Sequence, residues 1–127
     1  MSNVLLIEDD RFLIEDLKSF IEFEGHSCSE FTGPDQVIEN IDHLAKYDVI
    51  VLDIMMARGK YLQDANLQME TGEILYQRIR EKYPNMKVII ISAKNFNEMS
   101  IDFASEKNVS TIVKPFSSTA SELISKL

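Results

Sequence analysis

Three short apolar runs constrain this chain more than any other feature: residues 4–7 (VLLI), 49–52 (VIVL) and 88–91, a valine followed by three isoleucines. Each is rich in β-branched residues and too short for a buried helix, so each reads as a strand covered on both faces. Two weaker candidates, residues 27–31 and 111–113, are less uniformly apolar, as sheet-edge strands often are. Five strands are therefore expected.

Segments of helical spacing lie between them. The first places Leu13, Leu17, Phe20 and Ile21 on one face and ends at Gly25. Pro34 suits the first turn of a second, which carries Val37, Ile41 and Leu44. A third starts near Thr71, groups Leu75, Tyr76 and Ile79, and stops before Pro84 because proline disfavours helix at the residue preceding it. Two shorter helices are expected over about 97–106 and 117–127, with Met99 and Phe103, then Leu123, Ile124 and Leu127, facing inward. This β-α alternation implies one α/β domain over 1–127, a parallel sheet with five helices on its two faces. Ligands of such sheets bind beyond the carboxyl ends of the strands.

Acidic residues stand where two of the apolar runs end: Glu8 and Asp9 after the first, Asp53 after the third. In a parallel sheet those ends are neighbours, and carboxylates gathered there repel one another unless a cation neutralises them. A few hard oxygen ligands, with room left for water and a phosphoryl group, match the preferences of Mg²⁺. Ser92 closes the fourth strand with a hydroxyl, and Lys114 follows the fifth with an ammonium. Asp10 is placed to cap the first helix. His26 and His43 have no partner ligands at metal spacing and read as turn or surface residues.

The blocks VLLIEDD, YDVIVLDIMM, VIIISA and VKPF, in this order and spanning nearly the whole chain, resemble the signature blocks of two-component response-regulator receiver domains, in particular the single-domain, chemotaxis-regulator-like kind. The resemblance implies a flavodoxin-like sheet of order 2-1-3-4-5, and the expected edge strands agree with it. It implies that Asp53 is the phosphoacceptor, that Asp9 binds Mg²⁺ directly and Glu8 mostly through metal-bound water, and that the carbonyl of Met55 completes the coordination. Ser92 and Lys114 would contact the phosphoryl oxygens after transfer. The partners implied are a sensor histidine kinase or phosphotransfer protein and a downstream protein target, with room for a phosphorylation-dependent homodimer.

Function expected on this basis is a phosphorylation-dependent signalling switch, not an enzyme beyond its own phosphotransfer and dephosphorylation. The rival reading is a phosphorylation-independent interaction module, against which the full set of Glu8, Asp9, Asp53, Ser92 and Lys114 argues. A metal-dependent phosphatase of another α/β family would need an acid two residues past the nucleophile, where Met55 stands.

Composition narrows the partners. A net charge of -8 and a pI near 4.7 offer no counterion release to drive binding to nucleic acid. Cys28 is the sole cysteine, which excludes an intrachain disulfide or a thiolate-rich zinc site and suits a reducing compartment. No apolar stretch approaches bilayer length, so a cytoplasmic protein is expected.

Two features depart from the receiver pattern. Receivers commonly carry an aromatic ring three residues before the lysine, and its rotation accompanies activation; here the residue is Thr111. The segment 57–70 is the second departure. With Thr71-Gly72 in place of the usual Asp-Gly, the loop is longer by about eleven residues than the family's, well above ordinary βα connections. Its apolar Tyr61, Leu62, Leu67 and Met69 point to an ordered flap docked on the domain beside the Asp53 pocket, with Arg58 and Lys60 near the anionic site.

Overall fold

All five expected strands form. The computed structural model describes residues 1–114 and 119–127. In chain order they make β1 (Asn3–Ile7), α1 (Arg11–Phe23), β2 (Ser27–Phe31), α2 (Pro34–Glu39), β3 (Val49–Asp53), α3 (Thr71–Lys82), β4 (Lys87–Ser92), β5 (Val109–Val113) and α4 (Thr119–Lys126). Short 3-10 turns stand at Ile41–His43, Phe96–Glu98 and Phe103–Ser105. The strands form one parallel sheet of order β2-β1-β3-β4-β5.

Because successive strand side chains point to opposite faces, the apolar runs feed two cores. Leu5, Ile7, Ile50, Leu52, Val88 and Ile90 pack with Val37, Leu75 and Ile79 on one side. Val4, Leu6, Val49, Val51, Ile89 and Ile91 pack with Ile14, Leu17, Ile21 and Leu123 on the other. Burying each of these branched side chains contributes on the order of 1.5–3 kcal/mol. Strands β1, β3 and β4 are therefore held between two helical layers, and the polar side chains at their carboxyl ends, Glu8, Asp53 and Ser92, are fixed in buried positions.

Helices number four among the described residues, not five. The stretch expected to be helical over 97–106 forms two separate 3-10 turns, and two of its backbone donors are taken by side chains. Asn95 Oδ1 accepts from Asn97 N–H at 3.0 Å, and Glu73 Oε2 accepts from Ile101 N–H at 2.9 Å. Local polar competition of this kind is why Asn, Asp and Ser disfavour helix interiors. Phe103 is nevertheless buried as expected, edge-on to Tyr76 with ring centroids 5.1 Å apart. The second helix is also shorter than its apolar spacing suggests, ending at Glu39 before a 3-10 turn that delivers Leu44 to the core. On α1 the buried face is Ile14, Leu17 and Ile21; Phe20 is 52% exposed rather than inward. Pro115, Phe116 and the expected helix start at Ser117 lie outside the described residues.

The long β3–α3 connection has no regular structure, yet it is well anchored. Leu62 and Met69 enter the core beside α2 and α3, whereas Tyr61 and Leu67 remain exposed. Tyr61 Oη donates to Glu39 Oε2 at 2.7 Å, Lys60 Nζ pairs with the same carboxylate at 3.3 Å, and Lys60 N–H donates to Asp35 Oδ1 at 2.9 Å. Arg58 donates to the carbonyls of Asn66 and Met69 at 3.1 and 2.6 Å. The loop is thus ordered and docked on α2 as a flap, but Arg58 and Lys60 are engaged in holding it there, not in the acidic site. Gly59 sits at φ +67, and a Cβ there would displace the Asp35 carboxylate that accepts from Lys60 N–H, so glycine is favoured at this turn.

Candidate functional site

Strand register brings the functional side chains together. Ile7 lies opposite Leu52, Asp53 opposite Ile91, and Ser92 opposite Val113. Glu8, Asp53, Ser92 and Lys114 therefore emerge at one edge, the carboxyl end of the sheet. Lys114 N–H donates to the Ser92 carbonyl at 2.7 Å, which extends the β4–β5 pairing by one residue and aims the lysine back over β3.

At the centre of this edge the Lys114 ammonium contacts Glu8 Oε1 at 3.0 Å and Asp53 Oδ1 at 3.3 Å. Glu8 is fully buried and Asp53 is 2% exposed. The second oxygen of Glu8 accepts from the N–H groups of Asp9 and Asp10 at 3.0 and 3.2 Å, which fixes its orientation at the entrance to α1. Asp10 caps that helix, its Oδ1 accepting from Phe12 and Leu13 N–H. Asp9, more exposed, completes a cluster in which Glu8, Asp9 and Asp53 each bring a carboxylate oxygen within 4.8 Å of the others.

The electrostatics follow from that crowding. Burial, then the charge of Glu8, pushes the Asp53 carboxyl up to about 7, against the opposing pull of Lys114. Asp9 is also raised, first by burial and then by its hydrogen bond to Glu8. Burial alone pulls the Lys114 ammonium down, but attraction to Asp53 and Glu8 outweighs it and leaves the group above its ordinary value. Glu8 and Asp53 share the Lys114 ammonium, and together with Asp9 they bring three hard oxygens close to one another. That donor set fits a divalent cation of the Mg²⁺ type.

Ser92 is fully buried, and its Oγ accepts from Lys94 N–H at 3.0 Å. Met55 follows β3 with its side chain 47% exposed. Thr111 lies within β5, partly buried. His26, partly buried between α1 and β2, accepts at Nδ1 from Ser2 N–H at 2.9 Å.

Thr71 and Gly72, read from sequence only as a helix start in place of the usual Asp-Gly, and Glu73, not singled out at all, also shape this edge. Gly72 N–H donates to the Ile54 carbonyl at 2.8 Å, and a Cβ on Gly72 would stand 2.5 Å from the Asp53 carbonyl oxygen and closer still to Ile54 Cα. A side chain here would force α3 away from the backbone that carries Asp53. Thr71 Oγ1 donates to the Met56 carbonyl at 2.7 Å and fixes the same junction. Glu73, 1% exposed, is a buried carboxylate in the first turn of α3, where helix N–H groups favour negative charge. The spacing Glu70-x-x-Glu73 ahead of an apolar run is a helix-start signal that could have drawn attention to it.

Known proteins share this architecture. The family described as the response regulator receiver domain matches residues 4–127. The response regulator protein FleR of Pseudomonas aeruginosa is 28% identical over 119 residues, 94% of this chain but 23% of that protein. The chain thus spans about a quarter of the length of this curated relative. Among solved structures, the receiver domain of the Francisella response regulator 1452 superposes with a TM-score of 0.75 at 28% identity, covering 99% of this chain and 93% of that one. The response regulator TrrA of Thermotoga maritima, in complex with Mg²⁺-BeF, superposes at 0.74 with 21% identity, covering 99% and 98%, a likeness of fold. No helix among the described residues is long and apolar enough to cross a membrane.

Proposed function

This chain belongs to the response regulator receiver domain family, and from that premise we propose that it is a phosphorylation-dependent signalling switch whose phosphoacceptor is Asp53. The observation that carries the reading is the single ammonium of Lys114 held between Glu8 and Asp53 at the sheet's carboxyl edge.

The chemistry rests mainly on positioning and charge. One ionised oxygen of Asp53 attacks the phosphorus of a phosphohistidine on a kinase or phosphotransfer protein. The P–N bond breaks as the new P–O bond forms, and the electron pair leaves with the imidazole. Lys114 lies where it can neutralise charge on the transferred group, and the Ser92 hydroxyl can donate to one of its oxygens. Glu8, Asp9, Asp53 and the Met55 carbonyl would hold Mg²⁺, which when bound supplies positive charge to the phosphoryl oxygens. The acyl phosphate then favours a second arrangement of the segments after β4 and β5, and a downstream protein reads that arrangement. The only reactions catalysed are the protein's own phosphotransfer and dephosphorylation, in the cytoplasm.

Incubation with acetyl phosphate and Mg²⁺ followed by intact-mass measurement tests the reading. Wild-type protein should gain one phosphoryl group, and Asp53→Asn should fold and gain none. Equal labelling of the variant would remove Asp53 from its role, and an unlabelled wild type would favour a phosphorylation-independent interaction module.

A further inference from the structure

The β4–β5 connection has only two 3-10 turns, so no helix of its own sets its place. Phe103 anchors its second half in the core, and side-chain tethers to the junction of the flap and α3 hold its first half. Lys94 Nζ lies 3.0 Å from Glu70 Oε1, Ser100 Oγ donates to the Gln68 carbonyl at 3.2 Å, and Ile101 N–H donates to Glu73 Oε2 at 2.9 Å. All three partners belong to the end of the flap or the first turn of α3. That is the junction which Thr71 and Gly72 clamp to the backbone just beyond Asp53.

The tethers differ in how easily they release. The buried Glu73 carboxylate also accepts from Glu70 N–H at 3.1 Å, so withdrawing it would strand two backbone donors. The Lys94–Glu70 pair has side chains 28% and 31% exposed, and water can replace either partner at little cost.

Lys94 is joined at its other end to the acidic site. Its N–H donates to Ser92 Oγ, a fully buried hydroxyl with little freedom. If Ser92 Oγ turns toward a phosphoryl group on Asp53, the Lys94 backbone must follow or lose its acceptor, and either movement strains the ion pair at the far end of the same residue. Resting on Asp53 as phosphoacceptor, we propose that the Lys94–Glu70 ion pair is a latch that holds the segment after β4 in its unphosphorylated arrangement. Glu73 is the pivot about which that segment moves when the latch opens. A ligand or modification shifts such an equilibrium only through contacts that differ between its two arrangements, and this pair is such a contact.

Neutralising either side should open the latch without touching Asp53, Ser92 or Lys114. Glu70→Gln and Lys94→Gln should each raise the rate of labelling by acetyl phosphate with Mg²⁺ by about three- to fivefold, the scale of one partly exposed ion pair. The same variants, unlabelled, should show faster amide hydrogen exchange over residues 94–101. The exchanged pair, Glu70→Lys with Lys94→Glu, should return both measurements toward wild type. Single variants that keep wild-type labelling and exchange, or an exchanged pair that behaves like the single variants, would overturn the latch while leaving Asp53 in place. A wild type that takes no label would overturn the phosphoacceptor reading and the latch's regulatory role with it.

Discussion

Lys114 Nζ stands 3.3 Å from Asp53 Oδ1 although the two residues are 61 positions apart in the chain. The pairing depends on strand order, since β5 lies beyond β4 at the sheet edge and the lysine must reach back across it. Glu8 shares the same ammonium at 3.0 Å. Two buried carboxylates therefore rest on the Lys114 ammonium with a more exposed third, Asp9, beside them, and a divalent cation would balance the excess negative charge.

Removing that ammonium should expose the imbalance. Lys114→Ala leaves Glu8 and Asp53 buried beside each other without a counter-charge, and breaking a buried pair from one side is costly. We expect metal-free protein to lose about 1–3 kcal/mol, discounted because the lysine side chain is 19% exposed. Urea unfolding with and without Mg²⁺ checks this: the cation should stabilise the variant more than the wild type. Equal metal-free stability would mean the pair contributes nothing net.

The pH dependence has a definite sign. Asp53 is raised from its ordinary 3.8 to about 7 by burial and by Glu8. A carboxyl raised on folding contributes stability that is fully present below 3.8 and lost as pH rises through about 7. Metal-free wild type should thus lose stability across that window relative to Asp53→Asn, which cannot ionise. Mg²⁺ bound at this cluster would compete with the proton for the same oxygens, so a rise in thermal midpoint on its addition should be larger at about pH 8 than at about pH 5, and Asp9→Ala should lose most of it. A midpoint rise independent of pH, or retained in Asp9→Ala, would place the cation elsewhere.

Much of this arrangement was legible in the sequence because it depends on strand ends. Apolar runs of four residues locate β1, β3 and β4, and the residue after each run must project from the same edge of a parallel sheet. Glu8, Asp53 and Ser92 follow from that rule, and Lys114 stands in the same position after the weaker fifth strand. The segment 97–106 did not, because Met99 and Phe103 have helical spacing while Asn95 and Glu73 take the backbone donors away; the competing acceptor in α3 is invisible to a local pattern. Phe20 misled in the same way, being apolar on the exposed side of α1. Gly72 carries its reason in its close approach to Ile54 Cα, a tertiary fact.

The insertion between β3 and α3 offers the last test, and its buried residues decide between an integral flap and a tolerated lengthening of a loop. Lengthening a surface loop costs little entropy, so length alone argues nothing. Burial does. Leu62 is fully buried against the core that includes Val37, Leu52 and Leu75, whereas Leu67, five residues on, is 80% exposed. Leu62→Ala should therefore cost about 2–4 kcal/mol, the range of a large-to-small change in a packed core, while Leu67→Ala should stay within about 0.5 kcal/mol. Unfolding in urea compares the two directly. Replacing residues 60–68 with a short Gly-Ser bridge removes Leu62 together with the Tyr61 and Lys60 contacts to Glu39, and should destabilise the α2 side at least as much as Leu62→Ala. The bridge also shortens the path to Glu70, so labelling of Asp53 by acetyl phosphate should change in rate even where the fold survives. A bridged protein with wild-type stability and wild-type labelling would show that the flap neither supports the core nor communicates with the acidic edge.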